Sequence, residues 1–272
     1  MTDLRFPDLP TQPPALEIIG AEERDGVLVR DVRIEAPAGE PIEAYLVEPA
    51  AVDARRSRPG LLFSHWFDTE APNGNRTQFV DEAADWARRH RAAAILPQLT
   101  FPWAADPTDS ATDRDRIVTE VTRLRRCLDL LASRPAVDGA RLGVVGHDFG
   151  GMHALILATV DRRPAVYAIV ASVPRWGDWF LPFWPIEEDR IEYLRGLRPL
   201  DPIEHARGLA AARALFQFGL RDFFIAPMTG RELTRAAGDA GEYRSYDDAE
   251  HDMADPAIAA DRTAFLEAAL GP

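Results

Sequence analysis

Residues 141–152 read Arg-Leu-Gly-Val-Val-Gly-His-Asp-Phe-Gly-Gly-Met. The apolar run 142–145 leads into Gly146-His-Asp-Phe-Gly150, and the helix-compatible run 153–160 follows shortly after. This order has the form of a nucleophile elbow, a sharp strand-to-helix turn that carries a reactive side chain at its tip. Glycines two residues before and two residues after the tip let neighbouring backbone pass without a Cβ clash. The stretch therefore predicts a strand, a tight turn at Asp148 and a helix.

Short apolar or β-prone runs lie on both sides of this turn, separated by stretches with helical spacing. They cover residues 61–63, 92–96, 142–145, 166–171, 214–218 and 243–246. Strands that alternate with helices imply parallel crossover connections. Two-residue alternation over 27–34 and 42–47, across a proline turn, predicts an antiparallel hairpin. We therefore expect an α/β fold with a mostly parallel sheet, an N-terminal antiparallel hairpin and helices on both faces.

The domain organisation is predicted to be simple. Residues 1–20 carry four prolines and should form an extended N-terminal arm. The clearest helix runs from about Asp113 to Ala132, with an N-cap signal at Ser110, and Ile258–Leu270 should form the last helix. We find no internal repeat and no linker, so residues 1–272 are predicted to form a single domain.

One segment departs from the strand and helix rhythm. Residues 174–185 read Pro-Arg-Trp-Gly-Asp-Trp-Phe-Leu-Pro-Phe-Trp-Pro, which is too aromatic and too rich in proline for a regular core helix. With the residues up to about 210 it predicts a lid-like insertion over one end of the sheet. Its rings either fill a small satellite core or line a substrate pocket. The pocket candidates in this insertion are Trp176, Trp179, Phe180, Phe183, Trp184 and Tyr193.

Composition narrows the classes of partner. The 272 residues include 31 basic side chains, all of them Arg, and 44 acidic ones, for a net charge of −13. This charge repels phosphate backbones, so we expect neither nucleic acid nor a membrane as partner, and instead a small-molecule substrate. Cys127 is the only cysteine and the N-terminus lacks the features of a leader, so a reducing, cytoplasmic location is expected. The oligomeric state stays open, a homodimer included.

An acid and a histidine follow the elbow, each just after a strand candidate. Asp222 comes after the run 214–218, and His251 comes after the run 243–246. Nucleophile, acid and histidine in this chain order match the order of the α/β-hydrolase fold. Asp148, Asp222 and His251 are therefore predicted to form a catalytic triad, with acidic neighbours of His251 as weaker candidates for the acid. No histidine shows metal-ligand spacing with carboxylates, so neither a metal nor a cofactor is expected.

With these residues the chain resembles the α/β-hydrolase superfamily, and in particular its dienelactone hydrolase-like branch, over nearly its full length. The resemblance is carried by the elbow, by Phe218-Gly-Leu-Arg-Asp222 and by Ala249-Glu-His251. Ser64-His65-Trp66-Phe67 stands where that superfamily usually has His-Gly at the oxyanion loop. The resemblance implies that the amide of Phe149, with that of Trp66 or Phe67, stabilises an oxyanion. His65 and His147 are counted with the pocket candidates.

The nucleophile departs from that branch, whose members carry Cys or Ser at the elbow. Gly146-His-Asp-Phe-Gly150 resembles instead the elbows of epoxide hydrolases and of haloalkane or haloacetate dehalogenases. This second resemblance implies that Asp148 attacks an epoxide or a carbon–halogen bond and that His251 then activates water. Tyr193 is the candidate acid for an epoxide oxygen, and the three lid tryptophans are candidate N–H donors to a halide. An apolar pocket should select small or medium neutral substrates.

Three alternatives stay open. The chain is either a dienelactone hydrolase-like ester or lactone hydrolase, an enzyme that uses Asp148 as a general base for lyase, isomerase or cyclase chemistry, or a catalytically silent binding fold. Ordinary ester hydrolysis is disfavoured because carboxylate attack on an ester gives a mixed anhydride and releases an alkoxide. The alkoxide is a better nucleophile than the carboxylate, so this exchange is unfavourable. An intact Asp222 and His251 argue against a silent fold.

Overall fold

The computed structural model describes residues 5–68, 70–71, 74–100 and 108–271. These residues form one nine-stranded sheet, and each run that predicted a strand lies within or overlaps one of its strands. The strands are β1 (Leu16–Arg24), β2 (Val27–Ile34), β3 (Ile42–Pro49), β4 (Arg58–Ser64), β5 (Ala93–Pro97), β6 (Val137–His147), β7 (Pro164–Val170), β8 (Arg213–Gly219) and β9 (Gly241–Tyr246).

The strands lie in the order β1-β2-β3-β5-β4-β6-β7-β8-β9 across the sheet. The pairs β1–β2, β2–β3 and β3–β5 are antiparallel. All pairs from β5–β4 to β8–β9 are parallel. The expected mostly parallel sheet with an N-terminal antiparallel hairpin, β2–β3, is confirmed.

Helices cover both faces of the sheet. They are α1 (Val80–His90), α2 (Ser110–Ser133), α3 (Phe149–Val160), α4 (Gly177–Phe183), α5 (Arg190–Leu197), α6 (Pro202–His205), α7 (Pro227–Ala237) and α8 (Pro256–Leu270). Along β4, Leu61 and Phe63 belong to an apolar cluster with residues of α1 and α8, whereas Leu62 belongs to another, with residues of α2 and α3. The two sides differ because successive side chains of a strand point to opposite faces. No helix in the described residues is both long and apolar enough to cross a bilayer.

The N-terminal arm is shorter than predicted. Residues 16–20 belong to β1, which pairs with β2 as the edge strand of the sheet. The last proline of the arm is Pro14, so no proline interrupts the backbone hydrogen bonds of this strand. The preceding segment lies against α2, where Arg125 donates to the carbonyl of Pro7 and Arg126 donates to that of Pro10.

Helix α2 begins at Ser110, three residues before its predicted start at about Asp113, and its N-cap lies one residue before the predicted Ser110. Its N-cap is Asp109, whose carboxylate accepts the amide of Thr112 at 2.8 Å. The amide of Ser110 instead donates to Glu188, which ties the start of α2 to the insertion. An ionised carboxylate is favoured at this position because it also faces the positive end of the helix dipole.

The insertion between β7 and β8 is more regular than its composition suggested. Residues 177–183 form α4 although Pro182 lies within this helix. The rest of the insertion consists of α5, α6 and the short 3₁₀ turns Arg198–Leu200 and Ala206–Ala211. Burial of an aromatic face against the domain overrides the weak helix propensity of this segment.

Candidate active site

The predicted triad residues follow three strands of the sheet. Asp148 comes directly after β6, Asp222 follows β8 and His251 follows β9. These strands run parallel, so their carboxyl ends meet at the same edge of the sheet, where ligands bind in open α/β folds. The structure brings the three residues together at this edge.

Asp148 sits at the tip of a strained turn. Its φ of 52° and ψ of −116° lie in a region that residues with a Cβ rarely occupy, at a cost of about 1–3 kcal/mol. The surrounding backbone holds this conformation. The Asp148 amide donates to the carbonyl of Val170 at 2.9 Å, and the Asp148 carbonyl accepts the hydroxyl of Ser172 and the amide of Met152, each at 2.9 Å.

The two glycines of the elbow allow three backbone segments to approach closely. A Cβ on Gly146 would lie 2.6 Å from the carbonyl oxygen of Gly150, and a Cβ on Gly150 would collide with the carbonyl of Ser64 at the end of β4. Backbone atoms cannot yield as a flexible side chain does. The sequence expectation for these glycines therefore has a direct steric cause.

The steric cause predicts a specific loss of stability. Gly150→Ala should lower the free energy of unfolding by about 2–3 kcal/mol, because the new Cβ would overlap the backbone of Ser64. Gly139→Ala, where nothing lies within 4 Å of the new Cβ, serves as the matched control and should change it by less than about 0.5 kcal/mol. Urea unfolding curves measure both values. Equal midpoints for the two variants would contradict the close approach.

His251 lies between two carboxylates. Its Nδ1 is 2.9 Å from Asp222 Oδ2, a hydrogen bond, and its Nε2 is 3.8 Å from Asp148 Oδ2, an ion-pair distance. The other oxygen of Asp222 accepts the amides of Phe224 and Ile225, which fixes the loop that carries this acid. Asp247, Asp248 and Glu250 are the acidic neighbours of His251 that were weaker candidates; of these, Asp248 is exposed and pairs with Arg221.

The two carboxylates set the charge of the imidazole. Burial alone would lower the pKa of His251, but Asp148 and Asp222 outweigh burial and raise this pKa from 6.5 to about 10. Hence His251 is an imidazolium at neutral pH. Between about pH 6.5 and pH 10, His251 is protonated in the folded protein and deprotonated in the unfolded chain. The resulting contribution to stability is complete below about pH 6.5 and is lost as the pH rises through about 10.

This charge arrangement predicts the effect of removing one carboxylate. Asp148→Asn keeps the shape of the side chain and removes its charge, so the pKa of His251 should fall by about one to three pH units. Asp248→Asn, in the same loop as His251, should leave it unchanged because Asp248 is exposed and pairs elsewhere. An NMR titration of the histidine ring protons measures the pKa. An unchanged pKa in Asp148→Asn would show that this carboxylate does not act on His251.

A pocket of about 530 Å³ opens above Asp148 and His251. Aromatic side chains from four parts of the chain dominate the lining that the described residues provide. The loop after β4 and the elbow contribute Trp66, Phe67 and Phe149; the insertion contributes Trp179, Phe183 and Trp184; and the loop after β8 contributes Phe224. The insertion therefore covers the site, as predicted.

Helical periodicity divides the predicted lid aromatics into two groups. Trp179 and Phe183, four residues apart on α4, face the pocket. Trp176 and Phe180, also four residues apart, are fully buried and stack on each other in the core. The rings of this segment therefore do both things that the sequence suggested: one face of α4 fills a core and the other lines the pocket. The predictions of Trp176 and Phe180 as pocket residues are wrong, since neither lines the pocket.

Tyr193 is also not a pocket residue. It is fully buried, and its hydroxyl donates to Asp113 of α2 at 2.7 Å. Trp176 is committed in the same way, because its indole N–H donates to the carbonyl of Leu200 at 2.7 Å. Neither group reaches a substrate from these positions, so their predicted roles as epoxide acid and halide donor are not met. Of the described residues, Trp179 places a buried indole nitrogen without a hydrogen-bond partner beside the pocket.

The two predicted pocket histidines lie beneath the site. His65 Nδ1 lies 2.7 Å from the carbonyl of Trp66, and its Nε2 accepts the amide of Leu99. Burial lowers the pKa of His65 to about 4, so it is neutral and fixes the loop after β4. His147 Nε2 lies 2.8 Å from the carbonyl of His251, and burial holds the pKa of His147 well below 6.5. Neither histidine lines the pocket, and both position the loops that do.

The oxyanion loop has one amide already committed. The Trp66 amide donates to Gln78 Oε1 at 3.0 Å, which argues against Trp66 as an oxyanion donor. Phe67 is the other residue of this loop that was predicted as a donor, and Phe149 lies at the start of α3. Both line the pocket.

Two pocket residues escaped the sequence analysis. Asp68 follows the oxyanion loop and lines the pocket, and the ring of Phe224 lies 5.3 Å from that of His251. Phe224 lies two residues after the predicted acid Asp222, and this proximity in sequence could have indicated that it lies near the site. Among the described residues, no group of three or more His, Cys, Asp or Glu side chains is arranged to hold a metal ion.

No protein-family model and no curated protein sequence matches this chain. Solved structures do resemble it. An acetyl xylan esterase from Paenibacillus sp. R4 is 22% identical, over 96% of this chain and 90% of that one, with a TM-score of 0.73. An S-formylglutathione hydrolase from Agrobacterium tumefaciens is 16% identical, over 93% and 99%, with a TM-score of 0.67.

A protein assigned as a dienelactone hydrolase, from Klebsiella pneumoniae subsp. pneumoniae, is 18% identical over 90% of this chain and 99% of that one, with a TM-score of 0.64. At such identities the likeness establishes the fold alone. The chain therefore has the α/β-hydrolase fold that its elbow and strand order predicted.

Proposed function

We propose that this protein is a hydrolase in which Asp148 attacks a tetrahedral carbon of its substrate and forms a covalent ester. One observation carries this proposal. Asp148 lines the pocket, its Oδ1 is buried without a hydrogen-bond partner among the described residues, and its Oδ2 lies 3.8 Å from His251. An ionised carboxylate is already a nucleophile and needs no base to activate it.

The reaction divides into two displacements. In the first, a carboxylate oxygen of Asp148 bonds to the carbon as the bond to the leaving group breaks, and the leaving group departs with the electron pair. In the second, water loses a proton to His251 and attacks the carboxyl carbon of Asp148. The tetrahedral intermediate then collapses, the alcohol leaves with a proton, and the Asp148 carboxylate is restored.

The electrostatics of His251 support this order of events. While Asp148 is ionised, the pKa of His251 is raised to about 10 and the imidazole is protonated. Esterification of Asp148 removes one of the two negative charges that hold this proton, so the pKa falls and the neutral base becomes available. The base therefore forms when the second step needs it.

The pocket favours a halide over an epoxide as the reacting group. An epoxide oxygen needs an acid, and Tyr193 is committed to Asp113 outside the pocket. A leaving halide needs N–H donors, and Trp179 offers a buried indole nitrogen that has no partner among the described residues. No arginine is among the described residues that line the pocket, which disfavours halides that also carry a carboxylate.

Ester hydrolysis is the second candidate function. It is supported by the likeness to solved structures named as esterases and as an S-formylglutathione hydrolase. With Asp148 at the elbow, water would attack the ester carbonyl directly and Asp148 would accept its proton, because a covalent route passes through an anhydride. The two candidate reactions differ in which molecule receives the oxygen atom of water: the Asp148 side chain in the covalent route, and the product in the direct route.

Heavy-oxygen water separates the candidates. In a single turnover of butyl bromide, label should enter the peptide that contains Asp148 while the alcohol stays unlabelled, since water attacks the enzyme ester and not the substrate. Mass spectrometry of the peptide and of the product measures both. Butene oxide and butyl acetate, tested in parallel, identify the reacting group. Label that appears directly in the product would contradict the covalent mechanism and would indicate that Asp148 acts as a general base.

Removal of the histidine should stop the reaction between its two steps. His251→Ala should slow hydrolysis of the enzyme ester by about a hundredfold or more, because no base remains to activate water. The butyl adduct should then accumulate on the same peptide. His90→Ala, on α1 away from the site, is the control and should turn over normally without an adduct. Full turnover by His251→Ala would exclude His251 as the base.

A further inference from the structure

The pocket carries an excess of negative charge. Asp68 and Asp148 line it, and Asp222 lies directly behind His251. Against these three carboxylates stands a single imidazolium, His251. No arginine is among the described lining residues to balance the remainder. An anionic substrate would therefore be repelled, whereas a cationic one would be attracted.

Asp68 is the carboxylate that the chemistry of the triad does not use. Its backbone is fixed by Asn75, whose side chain accepts the Asp68 amide and donates to the Asp68 carbonyl. One carboxylate oxygen accepts the amide of Glu70 at 2.9 Å. No ion pair joins Asp68 to any cation in the described part of the chain. A fixed, half-buried carboxylate without a cationic partner thus faces the pocket.

The remaining walls consist of aromatic side chains in mutual contact. Ring centroids are 5.5 Å apart for Phe149 and Trp179, 5.8 Å for Trp179 and Phe224, and 5.3 Å for Trp179 and Phe183. The face of an aromatic ring is the negative side of its quadrupole and attracts a cation within about 6 Å. The aromatic walls themselves offer no strong hydrogen-bond acceptor, so the N–H groups of a primary ammonium that point at them would lose their bonds to water, and Asp68 could replace only part of that loss. A fully alkylated ammonium group has no N–H to satisfy.

We propose that the substrate of this pocket carries a quaternary ammonium group, held between the aromatic walls and Asp68, with its reacting carbon at Asp148. The assignment of the reacting carbon rests on the proposed function; the recognition of the cation rests on the charge and rings of the pocket. A neutral apolar substrate would use the same rings. It would also strip water from Asp68 without compensation, which disfavours its binding.

Binding without chemistry tests the recognition alone. Benzyltrimethylammonium, its uncharged carbon isostere neopentylbenzene and the anion phenylacetate are titrated into the full chain, with calorimetry as the readout. We expect the cation to bind about tenfold more tightly than the isostere and the anion not to bind. Equal affinities for the cation and its isostere would overturn the proposal.

Variants test whether the preference for the cation over its isostere depends on residues of the pocket. Asp68→Asn keeps the oxygen that accepts the Glu70 amide and removes the charge, so it should abolish most of the tenfold preference. Glu70→Gln removes an exposed charge two residues away that does not line the pocket, and the preference should persist. Phe224→Leu, a change at a half-exposed ring, should weaken cation binding several-fold. A preference that survives Asp68→Asn would overturn the role of this carboxylate.

Turnover separates this inference from the function on which it rests. Bromocholine should react with a higher kcat/KM than its isostere neohexyl bromide, and Asp68→Asn should remove the difference. Cation binding that depends on Asp68, without turnover of any bromide, epoxide or ester, would overturn the proposed function and support the cation site. Equal kcat/KM for the two bromides would overturn the cation site and support the proposed function.

Discussion

The contact between the elbow and the end of β4 constrains the rest of the site. The first turn of α3 lies so close to Ser64 and His65 that Gly150 has no room for a Cβ, and the Gly150 amide donates to the His65 carbonyl at 3.2 Å. This approach sets Asp148 in its strained conformation and brings the oxyanion loop to the start of the helix. The packed sheet supplies the energy that holds the strain. Catalytic geometry here is therefore a consequence of backbone packing.

A change of one side chain on this frame changes the chemistry available to it. The fold is shared with structures named as an acetyl xylan esterase and as an S-formylglutathione hydrolase. At 16–22% identity this likeness concerns the scaffold and not the reaction. A carboxylate at the tip has two possible roles: it is a candidate nucleophile, and it is an electrostatic partner of His251. It raises the pKa of the histidine, and in the proposed mechanism this effect would be lost when Asp148 is esterified. A serine at the same position would not exert this control.

The insertion shows how helical spacing assigns roles to similar side chains. Trp176 and Phe180 stabilise the lid against the core, while Trp179 and Phe183 shape the pocket, because residues three and four apart share a face of α4. Tyr193 anchors the same insertion to α2 through the buried Asp113. Aromatic composition alone marks the segment as important, and the phase of the helix decides which rings a substrate meets.

The sequence by itself determined the elbow, the order of strands and helices along the chain from β2 onward, and the three residues Asp148, Asp222 and His251 that meet at the site. These features are local: a glycine pattern, an apolar run or a polar residue after a strand reports on the path of its own backbone. The tertiary structure alone decided that residues 16–20 pair as an edge strand, that Tyr193 bonds to Asp113, and that Asp68 and Phe224 face the pocket. These outcomes depend on which distant segments pack together, and a side chain's partner across such a contact leaves no periodic trace in the sequence.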